Sequence, residues 1–314
     1  MPLTQLCMPK HLYAHLAVFA ANLIYGLNYV LAKGPMPDYV QPRGFIFMRV
    51  VGALGLFWLV RLLFKKSSKI NSVKIAKKDY LRLALCGLFG VCLNQMLFFE
   101  GLLRTSEINS SIMMTSNPLI VLILAAFLIG ERITISKIIG ILIGGIGAAM
   151  IILSGDRSAE GSSLVGDLLI LGNSASYAVY LVLVKPLMKR YNPILIISWV
   201  FLFGACFVIP LGFGQFREIN WEMPPYIIGS IVFVIVGTTF FAYLLNIYGV
   251  SRLNTSVVSA YIYLQPVMAT MFALVISYET KIGGITYEKV LYTLLIFAGV
   301  YLVGKPGRQS KLSG

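Results

Sequence analysis

The sequence predicts an all-α integral membrane protein: ten transmembrane helices in two inverted five-helix repeats, with both termini in the cytoplasm. Three observations predict it. Of the 314 residues, 58% are hydrophobic and only 12% charged, with a mean hydropathy of +0.84. A water-soluble chain carries roughly 25% charged residues, so a chain this apolar takes a bilayer as its solvent. The apolar residues gather in ten runs, each close to the roughly 20 residues that a helix needs to cross the hydrocarbon core. Finally, the chain repeats itself. Gly101, Arg104, Pro118 and Glu131 return 148 residues later as Gly249, Arg252, Pro266 and Glu279, and the stretch from Tyr25 to Lys33 is echoed by Tyr177 to Lys185 at an offset of 152. A duplicated membrane unit suggests a two-lobed carrier with its site between the lobes.

The first run, 12–33, is too long for the core of a signal peptide and reads as an uncleaved helix. The second, 44–64, carries Arg49 near its start. The third, 80–103, holds the adjacent amides Asn94 and Gln95, and the fourth, 108–129, holds Asn117-Pro118. Gly140, Gly144 and Gly147 in the fifth, 136–153, favour close helix packing. The segment 154–165, rich in Ser, Gly and charge, is expected to be the external linker between a first repeat at 12–153 and a second at 166–304. The second repeat supplies runs at 166–184, 193–213, 226–248, 255–277 and 287–304, the fourth of them carrying Gln265-Pro266.

Orientation follows from lysine and arginine, which accumulate on the cytoplasmic side. With the N-terminus inside, the inner segments hold 18 basic residues and the outer segments 7. Five spans per half is an odd number, so the second half enters the bilayer from the opposite face and the repeats are inverted. The basic stretch 65–78 becomes the longest cytoplasmic loop, suited to anchoring topology on anionic lipid. The net charge of +14 sits in such loops and does not indicate nucleic-acid binding.

A polar side chain inside a span is costly unless it faces protein or water, so the site is sought among these. Asn22, Tyr25 and Tyr29 share one face of the first helix, with Ser174, Tyr177 and Leu181 at matching positions of the sixth. Gln95 and Phe98 share a face of the third, and their repeat mates are Tyr243 and Asn246, extended by Thr239. This set either lines a cavity or ties helices together. Pro118 and Pro266 lack an amide hydrogen and free the carbonyls of Met114 and Ile262, predicting kinks that serve as hinges or as structure alone. Arg49, costing roughly 2.5–3.5 kcal/mol at a helix centre, either binds an anion or snorkels to the outer headgroups. Glu100 and Arg104 suit an i,i+4 pair.

Other chemistry finds little support. Cys7, Cys86, Cys92 and Cys206 have no metal-ligand spacing, and both histidines, His11 and His15, are N-terminal. No Gly-x-Ser-x-Gly or paired-aspartate signal suggests an intramembrane enzyme. Without a Walker-type phosphate loop, a carrier would draw on a gradient. No cofactor or metal is expected. The expected partners are a small-molecule substrate and the bilayer, not nucleic acid, with the protein a monomer or homodimer. A channel or a non-transporting sensor is the competing reading.

The segments Gly101-Leu-Leu-Arg104, Asn117-Pro118-Leu, Gly130-Glu131-Arg132, Gly249-Val-Ser-Arg252 and Tyr263-Leu-Gln265-Pro266, together with Phe47-Met-Arg49 and Gly166-Asp167, resemble the drug/metabolite transporter superfamily in its ten-helix EamA-type branch. Glu279 departs slightly, following Tyr278 where the pattern has glycine. The resemblance implies helices 1, 3, 4, 6, 8 and 9 around a central cavity, with 5 and 10 peripheral. It also implies a transporter of the cytoplasmic membrane, commonly an exporter of amino acids and related metabolites. On that expectation Asn22, Tyr25, Gln95, Tyr177, Tyr243, Asn246 and Gln265 contact substrate, Arg49 favours a carboxylate, and Pro118 and Pro266 let helices bend. Sugars, nucleosides and drugs stay open as cargo.

Overall fold

The computed structural model describes residues 10–32, 34–36, 38–63, 74–104, 114–153, 163–265, 267–268, 271–272 and 287–305. Among the described residues the regular elements are helical and none is a strand. They are α1 (Lys10–Leu31), α2 (Pro42–Leu63), α3 (Lys77–Leu102), α4 (Asn117–Ile129), α5 (Ile135–Leu153), α6 (Leu164–Met188), α7 (Pro193–Arg217), α8 (Pro225–Arg252), α9 (Thr255–Leu264) and α10 (Tyr287–Gly304). Five of them, α2, α3, α6, α7 and α8, are long and apolar enough to cross a membrane, and shorter apolar helices lie in α4, α5, α9 and α10. Phe127, Ile135, Leu142 and Leu294 stand exposed on the outer surface, where lipid rather than water accommodates them.

Local chemistry sets several ends. Pro193 occupies the first turn of α7, and the Asn192 side chain accepts the Ile194 N–H at 2.9 Å. Ser163 caps α6 by accepting the Gly166 N–H at 3.1 Å. Gly130 ends α4 in the left-handed region, φ 66°, a conformation open to glycine, and Glu131 N–H turns back onto the Ala125 carbonyl.

The packing respects the sequence repeat. Exchanging α1–α5 for α6–α10 turns the α1–α8 contact into α6–α3, α1–α9 into α6–α4, and α2–α8 into α7–α3. The pairs α2–α7, α4–α9 and α5–α10 map onto themselves. Glycine closes the α5–α10 seam: a Cβ on Gly299 would stand 2.6 Å from the Gly140 carbonyl oxygen, and one on Gly140 2.7 Å from that of Gly299. The predicted glycine packing is therefore met within the chain.

Both α3 and α8 contain a π-helical stretch, Leu88–Leu93 in one and Val234–Phe241 in the other. The two overlap at the 148-residue offset. In α8 the Thr239 hydroxyl donates to the Val234 carbonyl at 2.7 Å, five residues back. Such bulges re-aim the side chains that follow them and concentrate at functional sites.

Candidate functional site

One cavity lies between the halves, walled by residues of α1, α2, α3, the start of α4, α6, α8 and the end of α9. The pair α5 and α10 takes no part in its wall. All eight residues singled out from the sequence, Asn22, Tyr25, Arg49, Gln95, Tyr177, Tyr243, Asn246 and Gln265, reach it. Its volume of about 130 Å³ compares with roughly 10–15 Å³ for a single water on the same measure, so the space suits a small metabolite.

The eight differ in what they have left to offer. Gln265 Nε2 donates to Asn22 Oδ1 at 2.9 Å, while Asn22 Nδ2 donates to the Val18 carbonyl at 2.8 Å, so the Asn22 amide is committed at both ends. Asn246 Nδ2 donates to the Tyr177 hydroxyl at 2.5 Å, and the Tyr243 hydroxyl to the Gly90 carbonyl at 3.2 Å. These bonds join helices. The Asn22–Gln265 bond has a counterpart at the repeat-related residues, where Asn117 Nδ2 donates to the Ser174 carbonyl at 2.8 Å. The amide preceding each proline thus grips the first helix of the opposite half.

Five buried polar atoms on the wall have no hydrogen-bond partner among the described residues: Asn28 Oδ1, Asn117 Oδ1, Thr238 Oγ1 and both terminal atoms of the Gln95 amide. Gln95 lies beside the Tyr243 phenol without completing a hydrogen bond of ordinary geometry. Gln95 and Thr238 are the repeat mates of Tyr243 and Gly90, which do bond to each other. The pseudo-symmetry therefore closes one side and leaves the other unmet. An unmet buried polar atom costs roughly 1–3 kcal/mol, which a bound solute or water offsets.

Arg49 is 6% exposed. Its Nε donates to the Thr239 hydroxyl at 3.1 Å, and its guanidinium lies 5.8 Å and 5.5 Å from the ring centroids of Phe45 and Phe99. The side chain turns into the bundle rather than snorkelling outward.

The structure adds Asn28, Phe99, Asn173, Thr238 and Val258 to the wall, beyond the predicted set and the adjacent Asn94. Asn28 was legible as a polar residue one turn from Tyr25. Asn173 carried no such signal, since its repeat mate is Ala21. Ser174, Thr239 and Tyr180 are buried outside the cavity wall, and the Tyr29 side chain lies outside the described residues. Pro118 sits in the first turn of α4, after a break at Thr115 and Ser116 that separates it from helical Met114. Pro266 lies outside the described residues, but the turn before it, Tyr261–Leu264, tightens to a 3-10 helix. His15 is built into α1, its Nδ1 2.8 Å from the Tyr261 hydroxyl.

A polar clamp lies beside the cavity. The Glu131 carboxylate receives Lys137 Nζ at 2.7 Å, the Thr255 hydroxyl and N–H at 2.5 and 3.2 Å, and the Ser256 hydroxyl and N–H. It caps α9 from the other half, satisfying N–H groups that a helix start leaves open. Val258, one turn on, lines the cavity. Burial pushes the Glu131 pKa up, but the Lys137, Ser256 and Thr255 hydrogen bonds and the Lys137 charge together hold it below the usual value. Lys185 Nζ fastens the same region by donating to the Val250 carbonyl at 2.5 Å and to that of Leu253.

The profile of the EamA-like transporter family matches residues 12–153 and again 164–305. The chain belongs to the EamA-like transporter family. It is similar to the uncharacterized transporter YyaM of Bacillus subtilis (strain 168), 25% identical over 93% of each chain. An uncharacterized transporter of Archaeoglobus fulgidus is 27% identical over 89% of this chain and 94% of its own. A probable terminal-alkyne amino-acid exporter of Streptantibioticus cattleyicolor is 26% identical over 63% of this chain and 65% of its own. One solved crystal structure shares the fold, with a TM-score of 0.74 over 92% of this chain and 95% of its own at 17% identity. EamA-like proteins are transporters, not enzymes, and this member is an integral, multi-pass membrane protein.

Proposed function

We propose that the protein is a secondary active transporter of the cytoplasmic membrane that exports amino acids or related small metabolites by alternating access. The observation that carries this reading is the cavity itself: both halves contribute its wall, and polar atoms in it are left unmet. A site between repeats is what rocking one half against the other would expose to each side in turn. The eight predicted wall residues would contact the solute, and Pro118 and Pro266 would accommodate bending. The amino-acid reading draws support from the relative named as an amino-acid exporter. The ten helices would cross the bilayer as two inverted sets of five with both termini inside, as the 18-to-7 distribution of basic residues favours.

Counterflow in proteoliposomes tests it. Vesicles are loaded with an unlabelled amino-acid panel, and uptake of the labelled amino acids is followed. Uptake of a few members, abolished by Gln95→Ala with Tyr243→Ala, is the expected result. No counterflow for the whole panel, with folded protein verified, defeats the amino-acid reading and moves sugars, nucleosides and drugs forward.

A further inference from the structure

A two-fold axis in the membrane plane exchanges the halves and, with them, the two faces of the bilayer. A contact between the halves that has a repeat-related counterpart is unchanged by that exchange. The bonds from Gln265 to Asn22 and from Asn117 to Ser174 are such a pair, and the Gly140–Gly299 seam maps onto itself. A contact with no counterpart differs between the two faces.

Tyr243 with Gly90 is of this second kind. The Tyr243 hydroxyl on α8 donates across the cavity to the Gly90 carbonyl on α3 at 3.2 Å. Gln95 and Thr238, their mates at the offset of 148, make no such bond: both terminal atoms of the Gln95 amide and Thr238 Oγ1 are without a partner among the described residues. All four residues are buried, and Gly90 and Thr238 both lie in the π stretches.

The two pairs sit at different depths. The start of α3 and the end of α8 share the end of the molecule that the Glu131 clamp closes. There the Ala76 N–H, just before α3, donates to the Tyr191 hydroxyl just after α6 at 3.1 Å, and Lys185 near the end of α6 donates to the Val250 and Leu253 carbonyls at the end of α8. Gly90 lies nearer that end of α3 than Gln95, and Tyr243 nearer that end of α8 than Thr238. At about 1.5 Å of rise per residue the two levels are roughly 7.5 Å apart. The bonded pair is the one on the clamp side.

Resting on the alternating-access reading above, we infer that α3 and α8 carry two latches that close in turn: Tyr243–Gly90 holds the cavity shut on the clamp side, as here, and Gln95–Thr238 holds it shut on the opposite side once the clamp side opens. In the second latch Gln95 Nε2 donates to the Thr238 carbonyl, as the Tyr243 hydroxyl does to that of Gly90, and the Thr238 hydroxyl donates to Gln95 Oε1. Glutamine is shorter than tyrosine, and the Thr238 hydroxyl supplies reach where Gly90 has only hydrogen. One contact then satisfies three of the atoms left unmet in this state.

The test uses the full-length protein in sealed vesicles of defined orientation, without substrate. The native cysteines are replaced, Val258→Cys is the reporter, and a membrane-impermeant thiol reagent is added from the clamp side. One hydrogen bond corresponds to roughly two- to tenfold in a population ratio. Tyr243→Phe should therefore speed the reaction by about that factor, while Gln95→Leu and Thr238→Val each slow it comparably. The double variant should be no slower than either single one, because both remove the same contact. Thr238→Val and Gln95→Leu keep the test if Tyr243→Phe fails to fold. A second measurement places Gln95→Cys with Thr238→Cys, a protease site in the 154–165 linker and a short bis-methanethiosulfonate crosslinker. The crosslink that joins the halves on a denaturing gel should form faster when Tyr243→Phe is added. A Gln95 that serves only the solute would leave the substrate-free rate at Val258→Cys unchanged. That result, a shift of the same sign in Tyr243→Phe and Gln95→Leu, or a crosslinking rate indifferent to Tyr243→Phe overturns the inference; if counterflow persists, the transport reading stands. Opposite shifts without counterflow for any amino acid uphold the latches and defeat only the amino-acid reading.

Discussion

Asn22 and Gln95 look alike in the sequence, each an amide within an apolar run, yet they do opposite things. Asn22 is spent on Val18 and Gln265. Its truncation to Ala leaves the Gln265 Nε2 without that acceptor and should cost about 1–3 kcal/mol of stability. Gln95 bonds to no described residue in ordinary geometry, so Gln95→Ala should melt near the wild type while raising the half-saturating substrate concentration. Melting curves of the two purified variants, set beside their transport kinetics, check the contrast; equal loss of stability in both would refute it. Periodicity placed both residues on the correct faces. Which one is satisfied depends on what the neighbouring helix presents, and Asn22 meets Gln265 across 243 positions of sequence.

Elements carry the next set of constraints. On the α5–α10 seam, Gly299→Val would drive side-chain atoms into the backbone of Gly140 and Gly144, which has no rotamer with which to yield. The helices must separate, at a cost of roughly 1–3 kcal/mol. Because neither helix walls the cavity, substrate affinity in the folded fraction should hold. Thermal stability and counterflow measured on the same preparation check both parts. The helical segments themselves were largely legible, since ten apolar runs correspond to α1–α10 over the described residues. The π stretches in α3 and α8 were not. A π turn has no composition of its own; packing decides it, as where Gly87 meets the Gly204 backbone of α7 and Gly90 lies under the Tyr180 ring.

At the scale of the whole molecule, Glu131 joins the α4–α5 turn to the start of α9 and so couples the halves. With Lys137 it forms an ion pair in which each side chain is 7% exposed. Glu131→Gln leaves the lysine without its anion and should cost about 3–5 kcal/mol, partly recovered by adding Lys137→Met. The pH dependence has a definite sign. A carboxylate whose folded pKa is depressed contributes fully above its unfolded value, about 4.3 for glutamate. That contribution is lost as pH falls through the lower folded value. Melting temperature measured from pH 6 down to pH 3 should therefore fall more steeply in the wild type than in Glu131→Gln, and parallel curves would contradict this. The clamp also bears on access. With the native cysteines replaced, a cysteine at Val258 should react faster with a membrane-impermeant thiol reagent from the clamp side once Glu131→Gln is introduced. An unchanged rate would show that the clamp does not close that end of the cavity.

The sequence by itself determined the solvent, the repeat, the family and eight of the residues that face the cavity, because each is written in composition or short-range spacing: apolar runs, a 148-residue self-match, and polar side chains at helical intervals. Tertiary structure decided which of those polar groups remain open. Hydrogen-bond satisfaction is a property of pairs, and the pairs here are long-range: Asn117 with Ser174, Tyr243 with Gly90, Glu131 with Thr255 and Ser256. Arg49 shows the division most clearly. Its cost in a bilayer is plain from one letter in an apolar run, but that its terminal nitrogens find no partner among the described residues follows only from what the folded bundle places around it.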